Sequence, residues 1–305
     1  MANNFGSTNG KLLAQMVLSN MIALPVFSKI STNFSGLHNG QRAKFNQDVD
    51  VRLISAGTVE DYSAGYAAAD STDTNATVTI DKHKHISRNL TVEEAFSRDG
   101  IVLAGYAALD ANALANKVLL DLCGLVVNPG VPTATQQTVV AVGAFGHDSV
   151  VDVNVALDGR DVPDIGRFGV LNSLYHGALR KDSTIIANNI NNGSDAVSSG
   201  IITNVDGVEY MKYSKLPDNS ENLTGFVGTQ DSLALATMLP DIANLPDAID
   251  IPMSGKMSVA TDPSGLSVLV VEEVDLKDGV VYTSIRLMYG VGLGLAGNIQ
   301  KIASA

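Results

Sequence analysis

Two segments of alternating apolar and polar residues flank a long acidic stretch, and this arrangement restricts the fold more than any other feature of the chain. In the first, Phe45, Val49, Val51 and Leu53 face one way while Lys44, Asn46, Asp48, Asp50 and Arg52 face the other, the period-two pattern of a half-buried strand. The second runs from Val78 to Ile86. Between them, Gly57 to Thr77 carries Glu60, Asp61, Asp70 and Asp73 and neither Lys nor Arg. Two such strands close an antiparallel hairpin, and a tip of that length is unusual inside a compact domain. The pattern predicts an arm that reaches outward.

What flanks the arm reads as helix. Leu13, Met16, Val17, Met21 and Leu24 line one side of a short amphipathic helix that Pro25 ends. The segment Leu12 to Phe27 is interrupted by Gln15, Ser19, Asn20 and Pro25, so it is too broken for a signal peptide or a membrane span. After the arm, Thr91-Val92-Glu93-Glu94 has the capping-box pattern that starts a helix. Phe96, Leu103, Ala107, Leu114, Val118 and Leu122 recur near helical spacing. They predict one helix from Thr91 to Leu122, on the order of 45 Å long at 1.5 Å per residue, ended by Gly124, Pro129 and Gly130.

From Val139 the units shorten into an α/β region. Helices are expected at Ser149 to Leu157 and Ser173 to Leu179, with a strand at Phe168 to Leu171 between them. Asp206-Gly207, between the apolar-aromatic runs of Ile201 to Tyr213, signals a hairpin with a primed turn. Gln230 to Leu239 is rich in Ala and Leu and reads as a helix stopped by Pro240. Two closing strands, Leu266 to Leu276 and Val280 to Leu295, flank Lys277-Asp278-Gly279.

Charge narrows the function classes. Only 17% of the 305 residues are charged and 45% are hydrophobic, with a mean hydropathy of +0.15. So low a charge density suits a surface covered by partner subunits. The net charge of -12 argues against a basic grip on nucleic acid and against attraction to anionic membranes. Cys123 is the single cysteine; no intrachain disulfide can form, and the residue reads as a small buried hydrophobe near the end of an apolar helix.

Motifs that carry chemistry fail on context. Gly292-Leu293-Gly294-Leu295-Ala296-Gly297 matches a dinucleotide fingerprint, but Ala305 leaves no room for the helix and acidic residue it requires, so it reads as a glycine-rich edge strand. His83 and His85 share a strand face with Asp81, yet supply only two imidazole ligands and are interleaved with Lys82 and Lys84. His147-Asp148-Ser149 is contiguous and cannot form a catalytic triad; Asp148 or Ser149 is expected to cap a helix. No nucleophile elbow or phosphate loop occurs.

The order of these elements resembles the tailed-phage major capsid, or Hong Kong 97-like, family. Val78-Thr79-Ile80-Asp81-Lys82-His83-Lys84 followed by a capped helix is similar to that family's passage from extended loop to spine helix. Leu157-Asp158-Gly159-Arg160-Asp161-Val162-Pro163, Arg167-Phe168-Gly169-Val170-Leu171 and Tyr175-His176-Gly177-Ala178-Leu179 resemble its entry into the axial domain. Val205-Asp206-Gly207-Val208-Glu209-Tyr210-Met211-Lys212-Tyr213-Ser214-Lys215-Leu216-Pro217 echoes a hairpin ending in Ser and Leu-Pro.

The resemblance implies an α+β subunit: an N-terminal arm (1–40), an extended β-hairpin loop (41–90), a peripheral domain with the spine helix (91–138 and 248–305) and an axial α/β domain (139–247). It implies self-assembly as hexamers and pentamers into an icosahedral virion shell, with no enzymatic activity, cofactor or membrane. Further partners are a portal, a separate scaffolding protein, a decoration protein and enclosed double-stranded DNA held without sequence-specific binding. Contacts between subunits are expected from Glu60, Asp61, Tyr62, Tyr66, Asp70 and Asp73 in the loop and from Arg42, Lys44, Arg52, Lys82, Lys84 and Arg88 at its base, the acidic tip complementing a neighbour's basic base. The loop has no Lys from Ala56 to Asp81, which argues against the lysine cross-link of some family members. An encapsulin-like compartment shell and a phage tail or surface adhesion protein are the alternative readings.

Overall fold

A computed structural model describes residues 5–30, 32–33, 46–53, 74–91, 100–186, 204–238, 256–262, 266–275 and 280–305. In chain order the helices are α1 (Phe5–Ile22), α2 (Pro25–Ile30), α3 (Gly100–Cys123), α4 (His147–Asp158) and α5 (Ser173–Lys181). The strands are β1 (Thr32–Asn33), β2 (Asp48–Leu53), β3 (Thr74–Thr79), β4 (Lys82–Thr91), β5 (Gln137–Val139), β6 (Arg167–Leu171) and β7 (Glu209–Lys212). They continue as β8 (Leu223–Thr229), β9 (Leu233–Thr237), β10 (Lys256–Thr261), β11 (Ser267–Asp275), β12 (Val280–Leu293) and β13 (Gln300–Ala303).

β12 organises the first sheet because it is paired along both edges. Ile285 pairs with Val270 of β11 and Ile86 of β4, and Tyr289 pairs with Thr237 of β9 and Lys82 of β4. One residue has one partner per edge, so β4 follows one edge while β11 and β9 share the other. β10 lies antiparallel beyond β11, and β1 lies parallel beyond β9.

Side-chain alternation then sorts the faces. Ile285, Leu287 and Tyr289 of β12, Leu233 and Leu235 of β9, and Val268 and Val270 of β11 join one core with α1 and α3. On α1 that core takes Leu13, Val17, Leu18 and Met21; on α3 it takes Ala107, Ala111, Leu114, Val118 and Leu122. These are the i, i+4 and i+7 positions of a helix face. Each fully buried Val, Leu or Met contributes roughly 1.5–3 kcal/mol, so this face, more than local propensity, holds α3. Its last turn closes where the Gly124 amide donates to the Leu120 carbonyl at 2.9 Å.

The second sheet has the order β5-β13-β8-β6-β7. One face is covered by α4 and α5 through Val150, Val153, Leu157, Tyr175 and Leu179. The other gives Phe168, Val170 and Phe226 to the α1–α3 core, with Phe168 and Phe226 edge to face at 6.1 Å. Relative to the segments expected from the sequence, the sheets exchange a strand each: β9 lies in the first sheet and β13 in the second.

Several local readings yield to tertiary context. Gln230 to Leu239 is not a helix: a short turn at Gln230–Ser232 leads into β9. Leu-Ala-Leu-Ala also alternates with period two, and pairing on both sides outweighs the helix propensity of Ala. Gly292 and Leu293 are the last residues of β12 and pair with β9 alone, since β4 stops opposite Tyr289, while Gly294 to Gly297 leave the strand in a short turn. Neither Asp148 nor Ser149 caps α4; Gly146 is the N-cap residue, and the free His147 amide donates to the Asp182 carboxylate at 2.9 Å. Pro25 does end α1 but also opens α2, at the helical position where its missing N–H costs nothing.

Val78 to Ile86 splits in two at Ile80-Asp81. There Asn46 and Ile80 close the hairpin, the Asn46 amide donating to Ile80 at 2.8 Å and the Ile80 amide to Gln47 at 3.2 Å. Asp206 (φ 51) and Gly207 (φ 79) form the predicted primed turn between Val205 and Val208, after which β7 runs parallel to β6. Thr91 is the last residue of β4, opposite Val280. Val92, Glu93, Glu94, Phe96, Ile201, Leu239, Pro240 and Lys277-Asp278-Gly279 lie outside the described residues.

Candidate assembly interface

The hairpin strands predicted from the sequence sit in a notch made of small residues. β2 and β3 pair in register from Asp48 opposite Thr79 to Leu53 opposite Thr74. Val49, Ala76, Val78 and Ile80 form a small core with Ala234 and Ala236 of β9. On the neighbouring strand Ala236 pairs with Gly290 and Ala234 with Gly292, so four small residues share the sheet face on which the hairpin lies. A Cβ at Gly290 would stand 2.1 Å from the Thr79 carbonyl oxygen, and one at Gly292 would stand 3.0 Å from the Val78 side chain. Any larger residue there meets β3.

On the hairpin's exposed face, the Thr77 and Thr79 hydroxyls donate to the Asp50 and Asp48 carboxylates, each at 2.5 Å. These cross-strand bonds fix register where the apolar face alone is narrow. The root is therefore held by packing below and hydrogen bonds above, and the chain between Leu53 and Thr74 departs from a fixed base.

The contact residues expected from the sequence divide as follows. Glu60, Asp61, Tyr62, Tyr66, Asp70, Asp73, Arg42 and Lys44 lie outside the described residues. Arg52 is placed on β2 opposite Asn75. Lys82, Lys84 and Arg88 are half-buried on the β4 face turned toward α3, while Asp81, His83, His85, Ser87 and Asn89 are exposed on the other.

Arg88 is committed within the subunit. It forms a two-point ion pair with Asp110 of α3, one bond being Nε to Oδ2 at 2.9 Å, and its guanidinium lies 4.5 Å from the centre of the Tyr106 ring. The Asp110 hydrogen bond raises the Arg88 pKa further, overcoming the effect of burial. Lys82 reaches Asp81 at 3.2 Å. The sequence signal for the Arg88 tie was present but unused: Asp110 interrupts the apolar face of α3 and is 3% exposed, so a buried cation partner was required.

Two other buried cations tie the second sheet. Lys301, 1% exposed, donates to Glu221 at 2.6 Å and Thr133 at 3.1 Å. Arg167 reaches Asp158 at 2.7 Å and Asp164 at 2.9 Å. On α3, Asp121 accepts from Lys117 and from the Tyr289 hydroxyl, both at 2.7 Å. Burial pushes the Asp121 pKa up, but these two donors more than offset it and hold it below the usual carboxylate value.

His83 and His85 have ring centres 6.4 Å apart; burial, then Arg286, then His85 itself lower the His83 pKa. Among the described residues no group of three or more His, Cys, Asp or Glu could hold a metal. No described helix is long and apolar enough to cross a membrane. An open cleft of about 300 Å³ between α1 and β10 is lined by Lys11, Gln15, Ser19, Thr261 and Asp262, without a thiol or imidazole.

No protein-family model matches the chain, and no curated protein matches it. Solved structures do. One of Mycobacterium phage Che8 is 17% identical with a TM-score of 0.60, covering 91% of this chain and 90% of that one. The capsid structure of the cyanophage P-SCSP1u is 15% identical with a TM-score of 0.56, covering 91% and 89%. The asymmetric unit of the bacteriophage PhiM1 mature capsid is 11% identical with a TM-score of 0.54, covering 92% and 86%. Helices, paired sheets and hairpin root together thus have an α+β fold similar to that of these phage structures.

Proposed function

We propose that the chain is the major capsid protein of a tailed double-stranded DNA phage, a subunit that self-assembles as hexamers and pentamers into the icosahedral shell of the virion head. The observation that carries this reading is the likeness to phage capsid structures over about nine-tenths of both chains. The role is structural, not catalytic.

In this reading the hairpin arm lies across an adjoining subunit. Its notch fixes the angle of departure, and Arg88 with Asp110 stiffens the strand beside it. Glu60, Asp61, Asp70 and Asp73 at the tip meet Arg42, Lys44, Arg52, Lys82 and Lys84 at the neighbour's base, with Tyr62 and Tyr66 adding aromatic area. Each such contact repeats by symmetry, so modest interfaces accumulate around a closed shell. Residues 1–40 act as the arm preceding the loop, 91–138 with 248–305 as the peripheral domain, and 139–247 as the axial domain. The acidic chain encloses the packaged DNA without reading its sequence. Assembly takes place in the bacterial cytoplasm with a portal, a separate scaffolding protein and a decoration protein.

The test is electron microscopy of the recombinant protein, expressed alone and together with the scaffolding protein of its phage. Closed round particles with a hexamer and pentamer lattice are expected. A chain that stays a folded monomer under both conditions would sink the reading.

A further inference from the structure

We propose that the second-sheet domain docks head to tail on a second copy of the chain, an acidic surface at one end of the β6–β7 pair meeting a basic surface at the other end of the neighbour's pair. This rests on the assembly reading above and deepens it by naming the docking surfaces.

The acidic surface surrounds the start of β6. Arg167 is buried there, yet the Asp158 and Asp164 side chains that it holds remain 56% and 85% exposed. Asp152 on the outer face of α4 and Asp161 in the following turn are exposed too, and no cation among the described residues pairs with either. Two large apolar side chains stand beside them in solvent, Val155 at 61% and Ile165 at 91% exposure.

The basic surface lies at the other end of the same strands. Leu171, the last residue of β6, pairs with Lys212 of β7. That is four residue steps from Arg167, about 13 Å at 3.3 Å per residue. Lys212, Lys215 and Arg180 are exposed, and no carboxylate among the described residues pairs with them. Their closeness is felt by the buried His176, whose pKa is lowered by burial and then by Arg180 and Lys212. Leu174, one residue into α5, is 70% exposed beside them.

Each surface carries an excess of like charge, Asp152 and Asp161 at one end and Lys212, Lys215 and Arg180 at the other having no ion-pair partner among the described residues, which raises the energy of the isolated fold and is relieved by an opposite surface on a neighbour. Symmetry decides the geometry. A two-fold contact can also set acid against base, but it uses both surfaces within one dimer, whereas a head-to-tail contact leaves a surface free for the next copy and closes into a ring when its rotation divides a circle, as the assembly reading requires. The flanking Val155, Ile165 and Leu174 supply apolar area that charge alone lacks. A polyanion on the basic surface would leave the acidic one unexplained.

Three variants test this: Arg180→Glu with Lys212→Glu, Asp152→Lys with Asp161→Lys, and all four substitutions in one chain. Shell yield is counted by electron microscopy beside the parental chain, under the conditions in which the parent assembles. Each one-ended variant is expected to lose at least about tenfold in yield, and the four-fold variant to recover most of it, since its surfaces are again complementary. Recovery also shows that the substituted chain folds. Parental yield from the one-ended variants overturns the proposal while leaving the shell function standing. Failure of the four-fold variant to recover also overturns it. So does a basic-end variant that assembles normally but loses binding to a double-stranded DNA oligonucleotide, an outcome that assigns that surface to the polyanion. A parent that makes no particles overturns the function itself, and is read before any variant.

Discussion

Gly290 of β12 lies under Thr79 of β3 so closely that a Cβ on it would be 2.1 Å from the Thr79 carbonyl oxygen. The obstacle is backbone, which cannot rotate away as a side chain could. Gly290→Ala should therefore lift the hairpin root off the sheet and destabilise the chain by about 1–3 kcal/mol, the usual cost of overpacking. Hydrogen exchange at 48–53 and 74–79 should accelerate, and shell yield should fall with it. Gly143, where an added Cβ meets nothing within 4 Å, is the control: Gly143→Ala should leave exchange at the root unchanged. Unaltered protection in Gly290→Ala would show that the notch does not hold the arm.

Arg88 and Asp110 join β4 to α3, the strand beside the arm to the long helix. Asp110 is almost wholly buried while the Arg88 side chain is 34% exposed, so water screens only one partner. Charge-assisted hydrogen bonds contribute about 1.5–3 kcal/mol, and removing one partner leaves the other poorly compensated. Asp110→Ala should lower the denaturation free energy by about 2 kcal/mol, with Asp110→Asn costing less because it keeps one acceptor. Chemical denaturation at constant m-value measures both. An unchanged midpoint for Asp110→Ala would mean that the pair is ornamental to the fold.

Elements governed by one strong periodicity were legible in the sequence. β2 and its pairing with β3, α4, β6, α5, the body of α3, the Asp206-Gly207 turn, and the β11–β12 hairpin all followed from spacing and turn chemistry. β9 was not, because Leu233 to Thr237 satisfies both helix propensity and period two; only the arrival of β12 on one side and the hairpin below decides. The glycines of β12 have a use that no local pattern announces. Gly290 and Gly292 look like an entropic weakness in isolation, and their use appears only when β3 crosses them. At the candidate interface the hairpin root was legible, whereas the tie of Arg88 was not, since nothing local announces that Asp110 lies opposite it. The surfaces at the two ends of β6–β7 were invisible for the same reason. Their members come from separate stretches, around Asp152 to Ile165 and Leu174 to Lys215, which only the parallel β6–β7 pairing arranges.

Acid should loosen the C-terminal strand. Burial raises the Glu221 pKa, but the Lys301 hydrogen bond and the Asn128 amide outweigh it and leave the carboxyl below its ordinary value. A depressed carboxyl contributes stability above the unfolded pKa of about 4.3, and that contribution disappears as pH falls through the folded value. Asp121 and Asp182 are shifted in the same direction and add to the trend. Glu221→Gln should therefore melt below the parent at pH 7, with the difference shrinking as pH drops below about 4. A gap in Tm that stays constant down to pH 3 would remove Glu221 from the acid response.

Cys123 reports on the end of α3 without touching the assembly surfaces. Its side chain is fully buried, and burial pushes the thiol pKa up to about 12, against about 8.5 for a free cysteine. The thiolate is the reactive form, so two factors act together at pH 8: the reagent cannot reach the sulfur, and almost none of the sulfur is ionised. Labelling by an aromatic disulfide reagent should be at least about a thousandfold slower in the native chain than in denaturant, following the fraction of thiolate and its exposure. It should also proceed at one rate in free subunits and shells, because the sulfur packs against its own core. Fast labelling of free subunits that stops on assembly would place Cys123 at a subunit contact and contradict the packing of α3 described above.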